Sequence, residues 1–216
     1  MNCWSSSIGL EATGRTYRGA GPQQRREERR TRLVDAAVEV FGTSGYRSAT
    51  VEKICTAAGL TKRYFYESFD GREALLLAAY AGVTDRLRES IVRGSDGGVD
   101  LDAKIRGALT VFFETVAADP RISRIAFQEV LGVGPEVDDA YRRVTRSFVD
   151  AVLVVIEPEV DCSTLPDFHL RTLATGLVGA VLMIAQQWVL SGNLQPIDTV
   201  IAGAHTICMA VLREVA

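Results

Sequence analysis

Three short apolar-periodic segments between residues 25 and 69 restrict this part of the chain to small helices joined by tight turns. The first segment carries apolar residues at helical spacing from Leu33 to Phe41 and ends in a pair of glycines. The second begins at Thr50 and ends at Gly59, and the third runs from Thr61 to Tyr66. Threonine favours a helix N-cap, and glycine favours a left-handed helix end. The pattern therefore predicts a helix-turn-helix unit.

Longer helical patterns occupy the rest of the chain, and glycine or proline interrupts them. The predicted helices span residues 71–93, 101–118, 121–131, 135–156, 165–191 and 196–215. The β-branched run 152–156 continues a helical stripe, so we predict no strand. The predicted fold class is all-α, with about nine helices and no internal repeat.

Charge is distributed unevenly between the two parts of the chain. Residues 15–73 contain 12 Lys/Arg and 8 Asp/Glu, whereas residues 74–216 contain 12 and 18. A basic first third on an acidic remainder indicates that only the first part faces an anionic partner. Residues 1–24 have no helical period and are rich in Ser, Gly and Arg, which predicts a disordered basic arm. The arm is either a simple tail or an additional DNA contact that reaches a minor groove.

Several functional classes lack support in the sequence. Its cysteines are isolated and its two histidines lie on different segments, so we expect no zinc site, no disulfide framework and no cofactor. No carboxylate pair or nucleophile–base arrangement suggests an enzyme. The thiols fit a reducing cytoplasm, and the N-terminal residues do not resemble a signal peptide.

Residues 173–190 are long and apolar enough to raise the alternative of a membrane-spanning helix. Two adjacent glutamines, Gln186 and Gln187, lie inside this stretch, and Arg171 stands just before it. We therefore expect a helix that is buried in a core or a subunit interface, with no membrane partner.

The third short segment has the composition of a DNA-reading helix. Thr61 and Lys62 lie at its N-terminus, where free N–H groups favour a phosphate. Arg63 can donate two hydrogen bonds to guanine, and Tyr66 can reach a phosphate oxygen. Thr50 begins the preceding helix and could bind a second phosphate or act only as a cap. The alternative for the whole cluster is an ordinary solvated helix end.

Residues 25–75 resemble the DNA-binding domain of the TetR-type (tetracycline-repressor family) transcriptional regulators. The resemblance lies in LVDAAVEVFGTSGYRSATVEKICTAAGL followed by TKRYFYESFDGREAL. The matching positions are Gly45, Tyr46, Thr50, Ile54, Ala57, Ala58, Gly59, Tyr66, Phe69 and Leu75. The remaining residues resemble the family only in the number and length of their helices. The resemblance implies domains at 25–70 for DNA binding and at 71–216 for ligand binding and dimerisation.

The chain departs from the family pattern at three positions near the predicted DNA surface. Glu67 would repel phosphate unless it points away or accepts a hydrogen bond from cytosine. Arg63 occupies a position that is often small, and Arg72 replaces a lysine while keeping the phosphate role. The resemblance thus implies DNA contacts by Tyr64 and Arg72 in addition to the residues above.

The resemblance also implies a cytoplasmic, nucleoid-associated homodimer that binds a palindromic double-stranded DNA operator and releases it on binding a small apolar inducer. Residues 165–215 would form the dimer, because glycines there permit close helix approach; packing within one chain is the alternative. The ligand residues implied are Phe112, Phe113, Phe127, Gln128, Phe148, Met183 and Gln187. Two other functions stay open: a helical carrier or enzyme that ignores DNA, and a DNA-binding activator or nucleoid protein without an inducer.

Overall fold

The computed structural model describes residues 21–130, 132–159 and 169–214, and every regular element among them is helical. The elements are α1 (Pro22–Ser44), α2 (Val51–Ala58), α3 (Lys62–Tyr66), α4 (Arg72–Ser95), α5 (Leu101–Ala118), α6 (Pro120–Arg124), a π-helix (Ile125–Glu129), α7 (Pro135–Ile156), a 3₁₀ turn (Glu157–Glu159), α8 (His169–Leu190) and α9 (Ile197–Leu212). The prediction of an all-α fold is confirmed.

Helices α1 to α3 form a small head around a shared apolar core. The Thr50 hydroxyl accepts a hydrogen bond from the Lys53 amide at 3.2 Å, which confirms the predicted cap of α2. Gly59 ends α2 with a φ of 61°, a left-handed conformation that glycine adopts without steric cost. Phe65 of α3 is fully buried, so the short helix is held by its inner face.

The 24-residue helix α4 connects the head to the larger helical domain. It packs against α1 at one end and against α5 and α7 along most of its length. Leu75, Leu76 and Ala79 are fully buried in the same continuous core that contains the head. Helix α4 therefore belongs to both parts of the molecule.

Several element boundaries differ from the sequence prediction by one to three residues, and one predicted helix is divided in two. Helix α1 begins at Pro22, three residues earlier than predicted, because proline fits the first turn of a helix without loss of a hydrogen bond. The single helix predicted over 121–131 consists of α6 and a π-helix. Residues 1–20 of the predicted arm and the predicted helix start at 165–168 lie outside the described residues.

Helices α8 and α9 expose one apolar face that is rich in small residues. A Cβ atom added at Gly176, Gly179 or Gly203 would meet no other atom within 4 Å. Met183 and Ile207 are 55% and 43% exposed on the same two helices.

Helix α8 is also the one described helix long and apolar enough to cross a membrane, with a mean hydropathy of 1.7 over its most apolar window. The same composition fits a helix that packs against a second subunit.

Candidate nucleic-acid interface and ligand cavity

The outer face of α3 presents cationic and aromatic side chains to solvent. The side chains of Lys62 and Arg63 are 60% and 83% exposed, and Tyr66 is 60% exposed. Thr61 occupies the N-cap position, but its side chain makes no capping hydrogen bond, so it differs from Thr50 in this respect. The predicted DNA-reading side chains thus lie on the solvent side of α3, opposite the buried Phe65.

Lys62 and Arg63 of this surface each form an ion pair with a glutamate. Lys62 Nζ lies 3.4 Å from Glu52 Oε2 on α2, and Arg63 Nε donates to Glu67 Oε1 at 2.8 Å. The hydrogen bond to Glu67 and its charge raise the pKa of the Arg63 guanidinium. Exposed pairs contribute little to stability, so phosphate or base oxygens can replace these carboxylates at small cost.

Tyr64 and Arg72 have internal partners in the structure. Tyr64 is half-buried, and the Arg29 guanidinium lies 4.5 Å from its ring centroid. Arg72 Nη1 donates to the carbonyl oxygens of Tyr46, at 3.1 Å, and of Ala49. Arg72 therefore fixes the turn between α1 and α2. A DNA contact of either side chain remains a prediction.

Arginines on α1 hold the C-terminal ends of α2 and α3, a role that was not predicted from the sequence. Arg26 Nη2 donates to the Glu67 carbonyl at 2.9 Å, and Arg30 Nη1 donates to the Ser68 carbonyl at 2.9 Å. Arg32 Nη2 donates to the Ala58 carbonyl at 2.6 Å. These are carbonyls at helix C-termini, which lack partners within their own helices. Residues 26 and 30 are four positions apart and therefore lie on the same face of a helix, and this spacing was the sequence signal that could have indicated the role.

An apolar cavity lies between the middle helices of the larger domain. The void between its lining atoms, including its opening, is about 560 Å³. The lining residues are all apolar apart from one thiol: Ile91, Ile105, Ala108, Leu109, Phe112, Phe148, Val152, Val155, Leu177, Val178, Val181, Leu182 and Cys208. Burial raises the pKa of the Cys208 thiol to about 11, so this side chain adds no charge. The lining of the cavity therefore suits an apolar group and offers no partner to a charged one.

The π-helix joins this domain to the head through Glu129. Its Oε2 accepts a hydrogen bond from the Tyr46 amide at 2.6 Å, and its Oε1 accepts one from Arg124 Nε at 2.7 Å. Arg124 Nη1 also donates to the Thr43 carbonyl at 2.8 Å. The turn between α1 and α2 is therefore held by Arg72 of α4 on one side and by Glu129 on the other.

Sequence comparison places these features in one family. The family model described as "Bacterial regulatory proteins, tetR family" matches residues 33–79, which extend from α1 into α4. The HTH-type transcriptional activator FasR of Mycolicibacterium smegmatis is 30% identical over 173 residues, covering 80% of this chain and 77% of FasR. This chain belongs to the tetR family. It is therefore a helix-turn-helix transcriptional regulator, and the family assignment favours that function over an enzyme.

A second curated relative and one solved structure are also similar to this chain. The HTH-type transcriptional repressor KstR2 of Rhodococcus jostii is 28% identical over 178 residues, covering 80% of this chain and 85% of KstR2. FadR of Bacillus subtilis, solved in complex with stearoyl-CoA, has the same fold. The TM-score is 0.69 at 16% identity, with 86% of this chain and 99% of that chain covered.

The structure brings three of the ligand residues suggested by the tetR-family resemblance, Phe127, Phe148 and Met183, to one cavity and places the others elsewhere. Phe112 and Phe148 line the apolar cavity, whereas Phe113 is fully buried and packs edge-on against Trp188 at 6.0 Å between ring centroids. Gln128 lies beside the α1–α2 turn, and Phe127 lines a second, more polar cavity. Met183 is partly exposed on α8 and lines the second cavity together with Phe127, whereas Gln187 is exposed on the same helix and lines neither cavity. No periodicity in the sequence could have identified Cys208 or Tyr80 as cavity residues.

Proposed function

We propose that this protein is a homodimeric repressor that binds a palindromic operator and releases it when an apolar small molecule occupies the cavity of the larger domain. The observation that carries the proposal is that α4 runs from the α1–α2 turn to the apolar cavity. Its first residue, Arg72, holds the α1–α2 turn, and Ile91 of the same helix lines the apolar cavity. Nineteen residues of helix place these two points about 28 Å apart.

A ligand in the cavity would act on the head through α4 and the π-helix. Both elements contact the α1–α2 turn directly, through Arg72 and Glu129. A small tilt of α4 would reposition the head as a unit. Arginine side chains of α1 donate hydrogen bonds to main-chain carbonyls at the ends of α2 and α3, and these bonds hold the three helices together. Coupling of this kind typically changes affinity about 5–150-fold.

The DNA contact is proposed for Thr50, Thr61, Lys62, Arg63 and Tyr66. Arg63 reads a base edge, and the others bind phosphate oxygens. A single head offers few contacts, so specific binding requires two heads about 34–36 Å apart. The exposed glycine-rich face of α8 and α9 supports the required dimer, since close-packed helix pairs favour small residues at their crossing.

The ligand is proposed to be apolar because the lining of the cavity is apolar. The fold is shared with FadR of Bacillus subtilis, whose structure was solved with stearoyl-CoA, so this helical architecture can accommodate a long acyl chain. Methyl decanoate is a suitable probe for this chain, since ten carbons are short enough for titration in water.

The test measures operator affinity in the presence and absence of the probe. The operator is first selected from a pool of random DNA duplexes, and affinity is then measured by fluorescence anisotropy. We expect methyl decanoate to weaken operator binding by at least 5-fold. Binding of the probe without any change in operator affinity would overturn the proposal, and failure to select any DNA sequence would favour a carrier that does not act through DNA.

A pair of matched variants links this response to the cavity. Val152→Phe fills the apolar cavity, whereas Val154→Phe makes the same change on the outer face of α7, where Val154 is 63% exposed. We expect Val152→Phe to abolish the response to methyl decanoate and to retain operator binding. The Val154→Phe variant should respond like the wild type. Equal responses of both variants would show that the ligand binds elsewhere.

A further inference from the structure

Glu67, the C-cap residue of α3, contacts the arginine that is proposed to read a base. Its Oε1 accepts a hydrogen bond at 2.8 Å from Nε of Arg63, which lies one helical turn earlier. The side chain of Glu67 is 39% exposed, whereas that of Arg63 is 83% exposed. The carboxylate therefore lies beside the inner nitrogen of the guanidinium, and most of the Arg63 side chain faces solvent.

The main chain of Glu67 is fixed independently of its carboxylate. Its N–H donates to the Arg63 carbonyl at 3.0 Å, and its carbonyl accepts a hydrogen bond from Arg26 Nη2 at 2.9 Å. Both bonds use main-chain atoms that every residue except proline provides. Residue 67 is therefore anchored to α1 and α3, and a substitution of its side chain leaves this anchor in place. A carboxylate at a fixed position restricts the rotamers of the arginine that binds it.

The hydrogen bond to Nε leaves the outer edge of the Arg63 guanidinium free. A guanidinium has five N–H donors in one plane, and the terminal nitrogens Nη1 and Nη2 carry most of them. Within the described residues, Glu67 is the one hydrogen-bond partner of the Arg63 side chain. The Nη1–Nη2 edge can therefore donate two parallel hydrogen bonds to guanine O6 and N7 while Glu67 keeps Nε. A base does not need to displace this carboxylate.

The second glutamate of this surface has a different relation to its cation. Glu52 Oε2 lies 3.4 Å from Lys62 Nζ, and an ammonium is a compact point charge without a planar edge to orient. Glu52 therefore contributes only negative charge to the outer face of α3. Glu67 contributes the same charge and also directs a donor, so a comparison of the two carboxylates separates charge from orientation.

We infer that Glu67 is a positioning residue for base recognition. It holds Arg63 in the rotamer that donates to guanine and thereby raises discrimination at that base pair without contacting the base. A long exposed side chain loses rotamer freedom when it binds, and one that is fixed beforehand loses less. Because Glu67 also repels phosphates, it lowers affinity for every sequence alike. The inference rests on the proposed function, in which Arg63 reads a base edge.

The experiment measures a discrimination ratio: the affinity for the selected operator divided by the affinity for an operator that is changed at one base pair in one half-site. The base pair is the one at which Arg63→Ala lowers discrimination. Affinities of the full-length protein are measured by fluorescence anisotropy, with a random duplex as the third DNA. The salt concentration is kept constant, because affinity for DNA depends strongly on it.

Glu67→Ala removes both the charge and the acceptor. We expect the discrimination ratio to fall about 2–12-fold, the effect of leaving one long side chain unfixed before binding. Affinity for the random duplex should rise, because a negative charge has been removed. Glu67→Gln removes the charge but keeps an acceptor oxygen. It should therefore raise affinity for the random duplex and retain the discrimination ratio of the wild type.

Two further variants serve as controls. Glu52→Ala removes a carboxylate of the same surface and should raise affinity for all three duplexes by the same factor, with the discrimination ratio unchanged. In the Arg63→Ala background, Glu67→Ala should not change the ratio any further, because no guanidinium is left to position.

Three results would overturn the positioning role. Glu67→Ala could leave the discrimination ratio unchanged, it could raise the ratio because Glu67 competes with the base for Arg63, or Glu67→Gln could lower the ratio as much as Glu67→Ala. In each case Arg63→Ala still lowers discrimination at a base pair, so the proposed function stands and only this inference fails. If Arg63→Ala alters discrimination at no base pair, the proposed reading of a base by Arg63 fails, and the role of Glu67 fails with it.

Discussion

Glu129 and Tyr46, which are 83 residues apart in the sequence, are joined by a hydrogen bond of 2.6 Å from the Tyr46 amide to Glu129 Oε2. The other carboxylate oxygen, Glu129 Oε1, accepts a hydrogen bond from Arg124 Nε, and Arg124 Nη1 donates to the Thr43 carbonyl. A single side chain from the π-helix thus fixes the start of the α1–α2 turn from the side of the ligand domain. The main-chain carbonyl of Phe127, two residues before Glu129, accepts the hydrogen bond from Gln186 of α8.

The Glu129→Ala variant tests whether this hydrogen bond couples the ligand domain to the head. Without Glu129 the Tyr46 amide and Arg124 Nε lose their acceptor, and only the bond from Arg124 Nη1 to the Thr43 carbonyl remains, so the turn is less firmly tied to the π-helix. We expect the ratio of operator affinities without and with methyl decanoate to fall at least threefold. Glu114→Ala, at an exposed position of α5, is the matched control. An unchanged ratio in Glu129→Ala would assign the coupling to α4 alone.

Arg63→Ala tests the base-reading role of α3. We expect a loss of about 1–3 kcal/mol in operator binding and a relaxed preference at one base pair, since Arg63 is proposed to bind a guanine edge. The measurement is anisotropy titration with the selected operator and with single-base variants of it. If affinity falls equally on every sequence, Arg63 binds phosphate instead of a base.

Lys62→Ala tests the phosphate contact at the N-terminus of α3. Loss of one phosphate contact should reduce the slope of log affinity against log salt concentration by about one. Arg213→Ala, just beyond the end of α9 and exposed, removes one positive charge far from the head and should leave the slope unchanged. Equal slopes for wild type and Lys62→Ala would contradict the contact.

Gly203→Leu tests the proposed dimer surface. A side chain at this position meets no atom within 4 Å in one subunit, so the fold of the subunit should tolerate it. A bulky residue at a close helix crossing would separate the two subunits, and we expect the variant to sediment as a monomer at concentrations where the wild type is a dimer. Gly82→Leu, at an equally open and exposed position of α4, should remain dimeric. A dimeric Gly203→Leu variant would place the interface elsewhere.

The sequence predicted the helical order well because local residues determine most helix ends. Thr50 and Gly59 bound α2 by interactions within a few positions, and both were recognised. The π-helix was not predicted, because a hydrogen bond from Gln186 meets it from 59 residues away. Local propensity contains no information about such a contact.

The candidate DNA surface was more predictable than the ligand site for the same physical reason. Exposed cations at a helix N-terminus can be identified from the order of residues, as Lys62 and Arg63 illustrate. Adjacent phenylalanines cannot be separated in this way: Phe112 lines a cavity, whereas Phe113 packs against Trp188. The difference depends on which neighbouring helices leave a void, and that follows from tertiary packing.

The arginines of α1 have a consequence for how regulators of this type can diversify. Arg26, Arg30 and Arg32 bind main-chain carbonyls, which are present whatever side chains α2 and α3 carry. The outward-facing residues of α3 can therefore be exchanged without weakening these attachments. Libraries that vary only positions 62, 63 and 66 should yield folded proteins with altered target sequences.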